Sequence, residues 1–221
     1  MGYGVCIHVW GNRACFTRPE MKAERVSYDA ITPSAARGVL EAIHWKPAIS
    51  WIVDRITVLN EIRFTTFRRN ELGSKASAAL AQQTINGAKM ALGQIIEDDR
   101  QQRATTMLVN VAYLIDAHFE LTNLAGAEDS VEKHYNIFLR RARKGQCFQR
   151  PYLGCREFPL EFDLVEGDRP ASFYAGIDKD LGWMLNDLDY GKEMMPSFFR
   201  AKMANGVIDV PRFDRDGGGI K

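Results

Sequence analysis

The order of hydrophobic and polar positions along the chain predicts strands and helices in alternation. In residues 3–10, β-branched and aromatic residues alternate with other types, a pattern typical of a strand. Residues 32–45 repeat their apolar positions at helical spacing. Thr32 followed by Pro33 is a favourable start for that helix. The chain is therefore expected to open with a strand and continue with a helix.

Further strands and a second helix follow. Residues 49–67 predict one strand or two, with a weak turn signal at Asn60, and residues 107–122 predict a long strand. Asp129 and Glu132 have the spacing of a capping box, which predicts that the second helix begins at Asp129.

The C-terminal part of the chain carries shorter strand patterns. Asn205 and Gly206 form a dipeptide typical of a tight hairpin turn. Residues 214–221 are expected to form a disordered tail. The strand patterns of this part lie at residues 155–168, 181–190, 198–204 and 207–210.

Together these elements predict the fold class. The order β-α-β-β-α-β is that of a split βαβ unit, so we predict an α+β, ferredoxin-like (RRM-like) domain over residues 1–165. Residues 68–103 have only a weak helical pattern, near residues 89–99, and are too long for an ordinary connector. We expect a functional or mobile insertion there, and an antiparallel β-sheet extension over residues 166–213.

Composition narrows the classes of function. The chain has 221 residues and a net charge of +1, so a nucleic-acid partner must be read from local basic clusters. The four cysteines form no CxxC pair, which predicts neither structural zinc nor a disulfide framework. No signal peptide or membrane-length apolar stretch is present, so a cytoplasmic protein without a membrane partner is expected.

Candidate reactive residues lie at the start of the second helix and at the end of the first helix. A helical projection predicts that Lys133 points to solvent and His134 lies on the flank. The same projection predicts that Phe138 packs on the sheet. The two helices of a ferredoxin-like fold run antiparallel on one side of the sheet. His44, at the end of the first helix, is therefore predicted to approach Lys133 and His134.

These three residue types suit cleavage of RNA by its own 2′-hydroxyl. Histidine can give or take a proton near neutral pH, and lysine can neutralise charge on a phosphate. Taken alone, however, a histidine at a helix start is more often a surface or capping residue. His8 and His118 are interpreted as ordinary strand residues. No zinc-protease, serine-hydrolase or P-loop motif is present.

Several long segments then resemble one protein family. The most specific are TPSAARGVLEAIHWKP (residues 32–47) and the KHY…RRARKG block (residues 133–145). These segments resemble the subtype I-C CRISPR-associated proteins of the RAMP superfamily, the fifth Cas family, variant d (also called c). The resemblance is collinear over residues 8–47, 67–71, 100–105, 117–122, 132–158 and 181–190.

The resemblance implies an activity and its site. Members cut the CRISPR precursor transcript within each repeat, at the 3′ base of the hairpin, without a metal or other cofactor. They then stay on the 5′ handle of the crRNA and join an effector complex with backbone and large subunits. The family's lysine–histidine pair falls on Lys133 and His134. The third catalytic position is a tyrosine in one branch and His44 here, which leaves open whether His44 or His134 is the base.

Residues that would hold RNA are predicted from charge and aromatic character. Tyr28 or Trp45 is a candidate to stack an unpaired base, although Trp45 could equally belong to the core. Two other functions remain open: a non-catalytic scaffold that holds the crRNA handle, and a non-specific binder of duplex nucleic acid within the same complex, for which double-stranded DNA is a candidate partner. The candidates for phosphate contacts are Arg37, Lys46, Arg68, Arg69, Arg140, Arg141 and Arg143.

Overall fold

A computed structural model describes residues 4–21, 23–75, 77–88, 93, 95–189 and 193–213. Over these residues the chain forms three helices and nine strands, and the strands join one sheet. The helices are α1 (Pro33–Ile43), α2 (Ala78–Ile85) and α3 (Val131–Arg143). The strands are β1 (Val5–Ala14), β2 (Arg25–Val26), β3 (Ile49–Val58), β4 (Phe64–Leu72), β5 (Arg100–Leu121), β6 (Glu161–Leu164), β7 (Asp178–Asp189), β8 (Met195–Ala204) and β9 (Val207–Asp209).

The sheet is organised around β5, a strand of 22 residues. Its second half pairs antiparallel with β1 on one side and with β3 on the other, while its first half pairs antiparallel with β4. The full order is β6-β1-β5-β3-β9-β8-β7, and the short β2 pairs parallel with β5. The C-terminal strands therefore continue the same sheet beyond β3. The predicted α+β class, with a large antiparallel sheet and few helices, is confirmed.

The two long helices contribute to one hydrophobic core. Helix α1 begins as predicted: the side chain of Thr32 accepts a hydrogen bond from the Ala35 backbone N–H. Helix α1 packs against β3 and β7, and Leu40 is fully buried. Phe138 of α3 is also fully buried, and its ring centroid lies 4.8 Å from that of Trp51 in β3. Truncating such a buried phenylalanine to alanine costs about 3–5 kcal/mol.

Several predicted boundaries are confirmed and several change. The stretch over residues 49–67 is two strands, and Asn205 and Gly206 form the β8–β9 turn with φ angles of 53° and 83°. The strand predicted over residues 155–168 is only β6. The prediction that Asp129 caps α3 is wrong: Ser130 is the N-cap, and its hydroxyl accepts the Lys133 backbone N–H. The carboxylate of Asp129 has other partners, described below.

The predicted insertion is partly regular structure. Strand β4 extends to Leu72, which pairs with Arg100 of β5. The first and last residues of the 68–103 stretch are therefore paired strands of one antiparallel hairpin. Helix α2 lies within the connection. The weak helical pattern over residues 89–99 falls in part outside the described residues, and residues 214–221 fall wholly outside them. No helix among the described residues is long and apolar enough to cross a membrane.

Candidate active site

His44 lies at the point where α1 ends. It is the C-cap of the helix, with extended backbone angles of φ −151° and ψ 119°. Its backbone N–H donates to the Leu40 carbonyl at 2.9 Å, and its carbonyl accepts the Trp51 indole N–H at 2.8 Å. These two bonds hold the residue in place. The extended conformation directs the imidazole inward, where the residue is only 1% exposed.

His134 meets His44 from the first turn of α3. The Nε2 atom of His44 lies 3.0 Å from the Nδ1 atom of His134, and the two rings stack with centroids 5.3 Å apart. His134 is 2% exposed. The predicted approach of the end of α1 to the start of α3 is therefore observed. The helical projection predicts that His134 lies on the flank of α3, whereas in the structure its side chain is buried.

Asp129 extends this contact into a chain of hydrogen bonds. Its Oδ1 atom lies 3.0 Å from Nε2 of His134, and its Oδ2 atom accepts the Gly126 backbone N–H at 3.0 Å. The pKa of Asp129 is lowered, chiefly by the Gly126 hydrogen bond and further by His134 and Lys133. The carboxylate is thus ionised at neutral pH and acts as an acceptor.

Because the Asp129 carboxylate is ionised, the position of each proton along this series of hydrogen bonds can be assigned. Nε2 of His134 carries the hydrogen that it donates to Asp129, which leaves Nδ1 of neutral His134 as an acceptor. The Nε2–H of His44 then donates to that atom. Nδ1 of His44 is left as an unprotonated nitrogen. This atom is buried and has no hydrogen-bond partner among the described residues.

The surroundings of His44 disfavour a positive charge on its ring. Burial lowers the pKa of His44 to about 4, and the positive charges of Arg141 and Lys46 add to the effect. Arg141 is held close because its Nη1 atom donates to the Ile43 carbonyl at 2.8 Å. His44 is therefore neutral at neutral pH, the form in which histidine can accept a proton.

Lys133 lies at the exposed edge of this cluster. Its side chain is 46% exposed, and Nζ lies 3.5 Å from Oδ1 of Asp129. Nζ also donates to the Glu128 carbonyl at 2.8 Å. A half-exposed cation thus borders the same carboxylate that holds His134.

The other two histidines have separate surroundings, in line with their interpretation as strand residues. Nδ1 of His118 in β5 lies 2.8 Å from the Asp54 carboxylate, and the side chain is 31% exposed. His8 in β1 stacks on Trp10, with ring centroids 4.6 Å apart.

Two of the predicted phosphate contacts are already engaged within the protein. Arg37 lies 2.7 Å from each of two carboxylates, those of Glu41 and Asp187. Arg69 lies 2.6 Å from the Glu157 carboxylate and 2.8 Å from that of Glu71. These guanidinium groups tie elements of the fold together.

The remaining predicted contacts differ in exposure. Lys46, Arg68 and Arg140 are exposed, whereas Arg143 is exposed but paired with Glu166 at 2.6 Å. Arg141 is only partly exposed, because it bonds the end of α1.

The two candidate stacking residues, Tyr28 and Trp45, differ in their exposure to solvent. The structure does not support base stacking by Tyr28, which is 1% exposed and has the Arg18 guanidinium 4.5 Å from its ring centroid. Trp45 is 52% exposed, so it lies at the surface rather than in the core.

Sequence reasoning missed Asp129 as a partner of His134. The capping-box spacing to Glu132 suggested a purely local role for this carboxylate. The position of Asp129 in the sequence could have indicated this contact, because Asp129 lies just before the helix and five residues ahead of His134. A side chain at that place can fold back on the first turn.

The chain is similar in sequence to known CRISPR-associated proteins over nearly its whole length. The family model described as "CRISPR-associated protein (Cas_Cas5)", in its Cas5d form, matches residues 4–211. The chain is 53% identical over 218 residues to "CRISPR pre-crRNA endoribonuclease Cas5d" of Mannheimia succiniciproducens, covering 96% of this chain and 97% of the relative. It is 40% identical over 224 residues to the protein of the same name from Thermus thermophilus, covering 93% and 90%.

Solved structures share the fold over nearly the whole chain. One, titled "Crystal Structure of CRISPR-associated Protein", has a TM-score of 0.69 and 27% identity, and covers 93% of this chain and 90% of its own. A second, a functionally uncharacterized protein from Streptococcus mutans, has a TM-score of 0.68 and 23% identity, with coverage of 98% and 95%. The second likeness concerns the fold alone.

Proposed function

Because the chain belongs to the Cas5d family of CRISPR-associated proteins, we propose that it is an endoribonuclease that cleaves CRISPR precursor RNA within the repeat. The cut lies at the 3′ base of the repeat hairpin. The observation that carries this proposal is the 3.0 Å contact between Nε2 of His44 and Nδ1 of His134. It joins two groups able to move a proton at the position where the family resemblance expects the site.

The first chemical step is removal of the proton from the attacking 2′-hydroxyl. Nδ1 of His44 is the group for this task, because it holds a lone pair and has no partner among the described residues. As it takes the proton, its Nε2 proton moves to His134. The positive charge then lies beside the carboxylate of Asp129 rather than on His44, where burial and Arg141 oppose it.

The second step is displacement of the 5′-oxygen. The bond from phosphorus to O2′ forms and the bond to O5′ breaks, giving a 2′,3′-cyclic phosphate and a 5′-oxygen that takes a proton from solvent water. The His44–His134 pair then returns to solvent the proton that it took from the 2′-hydroxyl. Lys133 is the cation for the charge that builds on the non-bridging oxygens, a role worth about a hundred- to a thousandfold in rate. Since the chain's own residues provide a base and a cation, the proposed reaction requires no metal.

Access to the base requires a change when RNA binds. His44 and His134 are 1% and 2% exposed, and the unpaired nitrogen is itself buried. RNA must therefore displace part of the protein around His44 before the 2′-hydroxyl can reach it.

We propose that the protein also keeps its product bound, as the family resemblance implies. After cleavage the protein stays on the 5′ handle of the crRNA, as a subunit of a type I-C effector complex with its backbone and large subunits. The exposed cations Lys46, Arg68 and Arg140 are proposed to contact phosphates, together with Arg141 and Arg143. Binding should weaken steeply as salt increases if several of them act together.

We also propose how the chain divides. The elements β1, α1, β3, β5, α3 and β6, with the sheet order β6-β1-β5-β3, support a ferredoxin-like domain over residues 1–165. Strands β7, β8 and β9 form the C-terminal antiparallel extension over residues 166–213.

One assay tests the proposed activity. The purified protein is incubated in EDTA with its own repeat RNA and, separately, with a copy that carries one 2′-deoxynucleotide at the cut. Cleavage of the first RNA alone, leaving a 2′,3′-cyclic phosphate, is the expected result. Cleavage of neither RNA would favour the handle-binding scaffold. Cleavage of both would rule out attack by the 2′-hydroxyl.

A further inference from the structure

A groove of about 850 Å³ lies beside the end of α1, next to the candidate active site. This volume is within the range of about 300–1,000 Å³ that is usual for small-ligand sites. Three aromatic side chains line it: Trp45, Phe148 and Tyr152. Trp45 and Phe148 are 52% and 84% exposed, so two large aromatic side chains present much of their surface to solvent at one place.

The backbone that carries these side chains is held firmly. The Ala42 carbonyl accepts the Phe148 backbone N–H at 2.8 Å, which fixes the segment after α3 against the end of α1. The carbonyls of Ile43 and His44 accept bonds from Arg141 and Trp51, each at 2.8 Å. The end of α1 thus has its carbonyls satisfied by side chains and by the segment opposite. The groove is pre-organised, which reduces the entropy lost on binding.

The charges in the groove favour an anion beside the aromatic rings. Lys46 and Arg141 both line it. Two carboxylates also line it, those of Glu41 and Asp187, but each lies 2.7 Å from Arg37. Arg37 offsets one of these two negative charges, and with Lys46 and Arg141 the charged side chains that line the groove leave one positive charge in excess. Aromatic rings next to cations are the combination that binds single-stranded nucleic acid, by base stacking and phosphate contacts.

The groove is also joined to the candidate active site through the chain itself. His44 has an extended backbone, in which successive side chains point to opposite sides. His44 accordingly points inward to His134, while the next residue, Trp45, points outward into the groove. A nucleotide held on Trp45 would lie one residue away from the proposed base.

We propose that this groove binds one unpaired nucleotide of the RNA that flanks the scissile bond. Its base stacks on Trp45, with Phe148 closing the other side, and its phosphate contacts Lys46 and Arg141. The inference rests on the proposed function and adds to it a site for the single-stranded flank. It explains how a cut beside a hairpin can be positioned without reading the base pairs of the stem.

Binding measurements test the site separately from cleavage. With repeat RNA blocked by a 2′-deoxynucleotide at the cut, Trp45→Ala and Phe148→Ala should each weaken binding about 5- to 100-fold. Trp45→Phe keeps a ring and should restore most of the loss. Trp183→Ala is the matched control, because Trp183 is 61% exposed and does not line the groove. Equal thermal unfolding of all four variants shows that the fold is retained.

An abasic scan of the flanking nucleotides identifies the occupant. One abasic position should weaken binding as much as Trp45→Ala does, and the two changes together should cost no more than either alone. If Trp45→Ala binds like the wild type, or if its effect adds to that of every abasic position, the proposal is overturned. If the wild-type protein binds the RNA but does not cut it, the proposed function is refuted. The proposed nucleotide site in the groove is then still tested by the binding measurements, which do not depend on cleavage.

Discussion

Nε2 of His44 and Nδ1 of His134 lie 3.0 Å apart, although 90 residues separate them in the chain. The contact joins the end of α1 to the start of α3, and Asp129 anchors it from beyond His134 at 3.0 Å. Two imidazoles at this distance share one hydrogen, so a proton taken up by His44 can pass to His134.

Removing His134 should abolish cleavage and leave binding of the repeat RNA nearly unchanged. The His134→Ala variant loses the group that receives the positive charge, and we expect single-turnover cleavage to fall at least about 100-fold. Its affinity for RNA, measured by titration, should stay within about twofold of the wild type, because His134 is buried and is not among the residues proposed to contact phosphates. His118→Ala, a histidine paired with Asp54 elsewhere, should cut normally. Normal cleavage by His134→Ala would refute the assignment.

The pH dependence of cleavage should reflect the environment of His44. Burial lowers the pKa of His44 to about 4, so its base form persists well below the 6.5 of an ordinary histidine. Single-turnover rates should therefore fall on the acid side only below about pH 6. An acid limb at or above pH 6.5 would contradict the assigned base.

Neutralising Asp129 should weaken the base and move the acid limb. In Asp129→Asn the positive charge on His134 loses its carboxylate, so the pair binds a proton less well. We expect the rate to fall about 10- to 1,000-fold and the acid limb to shift to lower pH. Ser130→Ala removes only the helix cap and should leave the limb in place, although it costs about 1 kcal/mol of stability. A lower rate with an unmoved limb would mean that Asp129 acts only on the fold.

Folding stability should depend on the same histidine. The folded pKa of His44 is about 4, below the 6.5 of an unfolded histidine, so between these values the unfolded chain binds more protons. Stability is therefore full above about pH 6.5 and is lost as the pH falls towards 4, by up to about 3 kcal/mol. Urea unfolding at pH 7 and 4.5 should show a smaller difference for His44→Gln than for the wild type. Arg140→Ala, an exposed cation on α3, should keep the wild-type difference.

The four histidines should differ in reactivity toward diethyl pyrocarbonate. In the free protein His8 and His118 are partly exposed, whereas His44 and His134 are buried. Peptide mapping by mass spectrometry should find rapid modification of the first two and slow modification of the second two. Adding the blocked repeat RNA should change the rate at His44, since the proposed mechanism requires RNA to rearrange its surroundings. Rapid modification of His44 in the free protein would contradict its burial.

Local sequence signals determined much of this architecture. Thr32 and Pro33 start α1, and Asn205 with Gly206 turns the last hairpin, because a cap or a tight turn depends on only a few neighbouring residues. Apolar spacing likewise predicted that Phe138 faces the core. The order of elements, combined with the antiparallel helices of the predicted fold, was enough to bring His44 towards His134.

Only the tertiary structure decided how each candidate residue is used. It buried Tyr28 and His134, paired Arg37 and Arg69 with carboxylates, and turned Asp129 from a predicted cap into a partner of His134. These outcomes depend on which distant segments meet, and neither residue type nor spacing along the chain records that. Burial then set the protonation of His44, because the desolvation of an imidazole is a property of the folded surroundings rather than of the sequence around it.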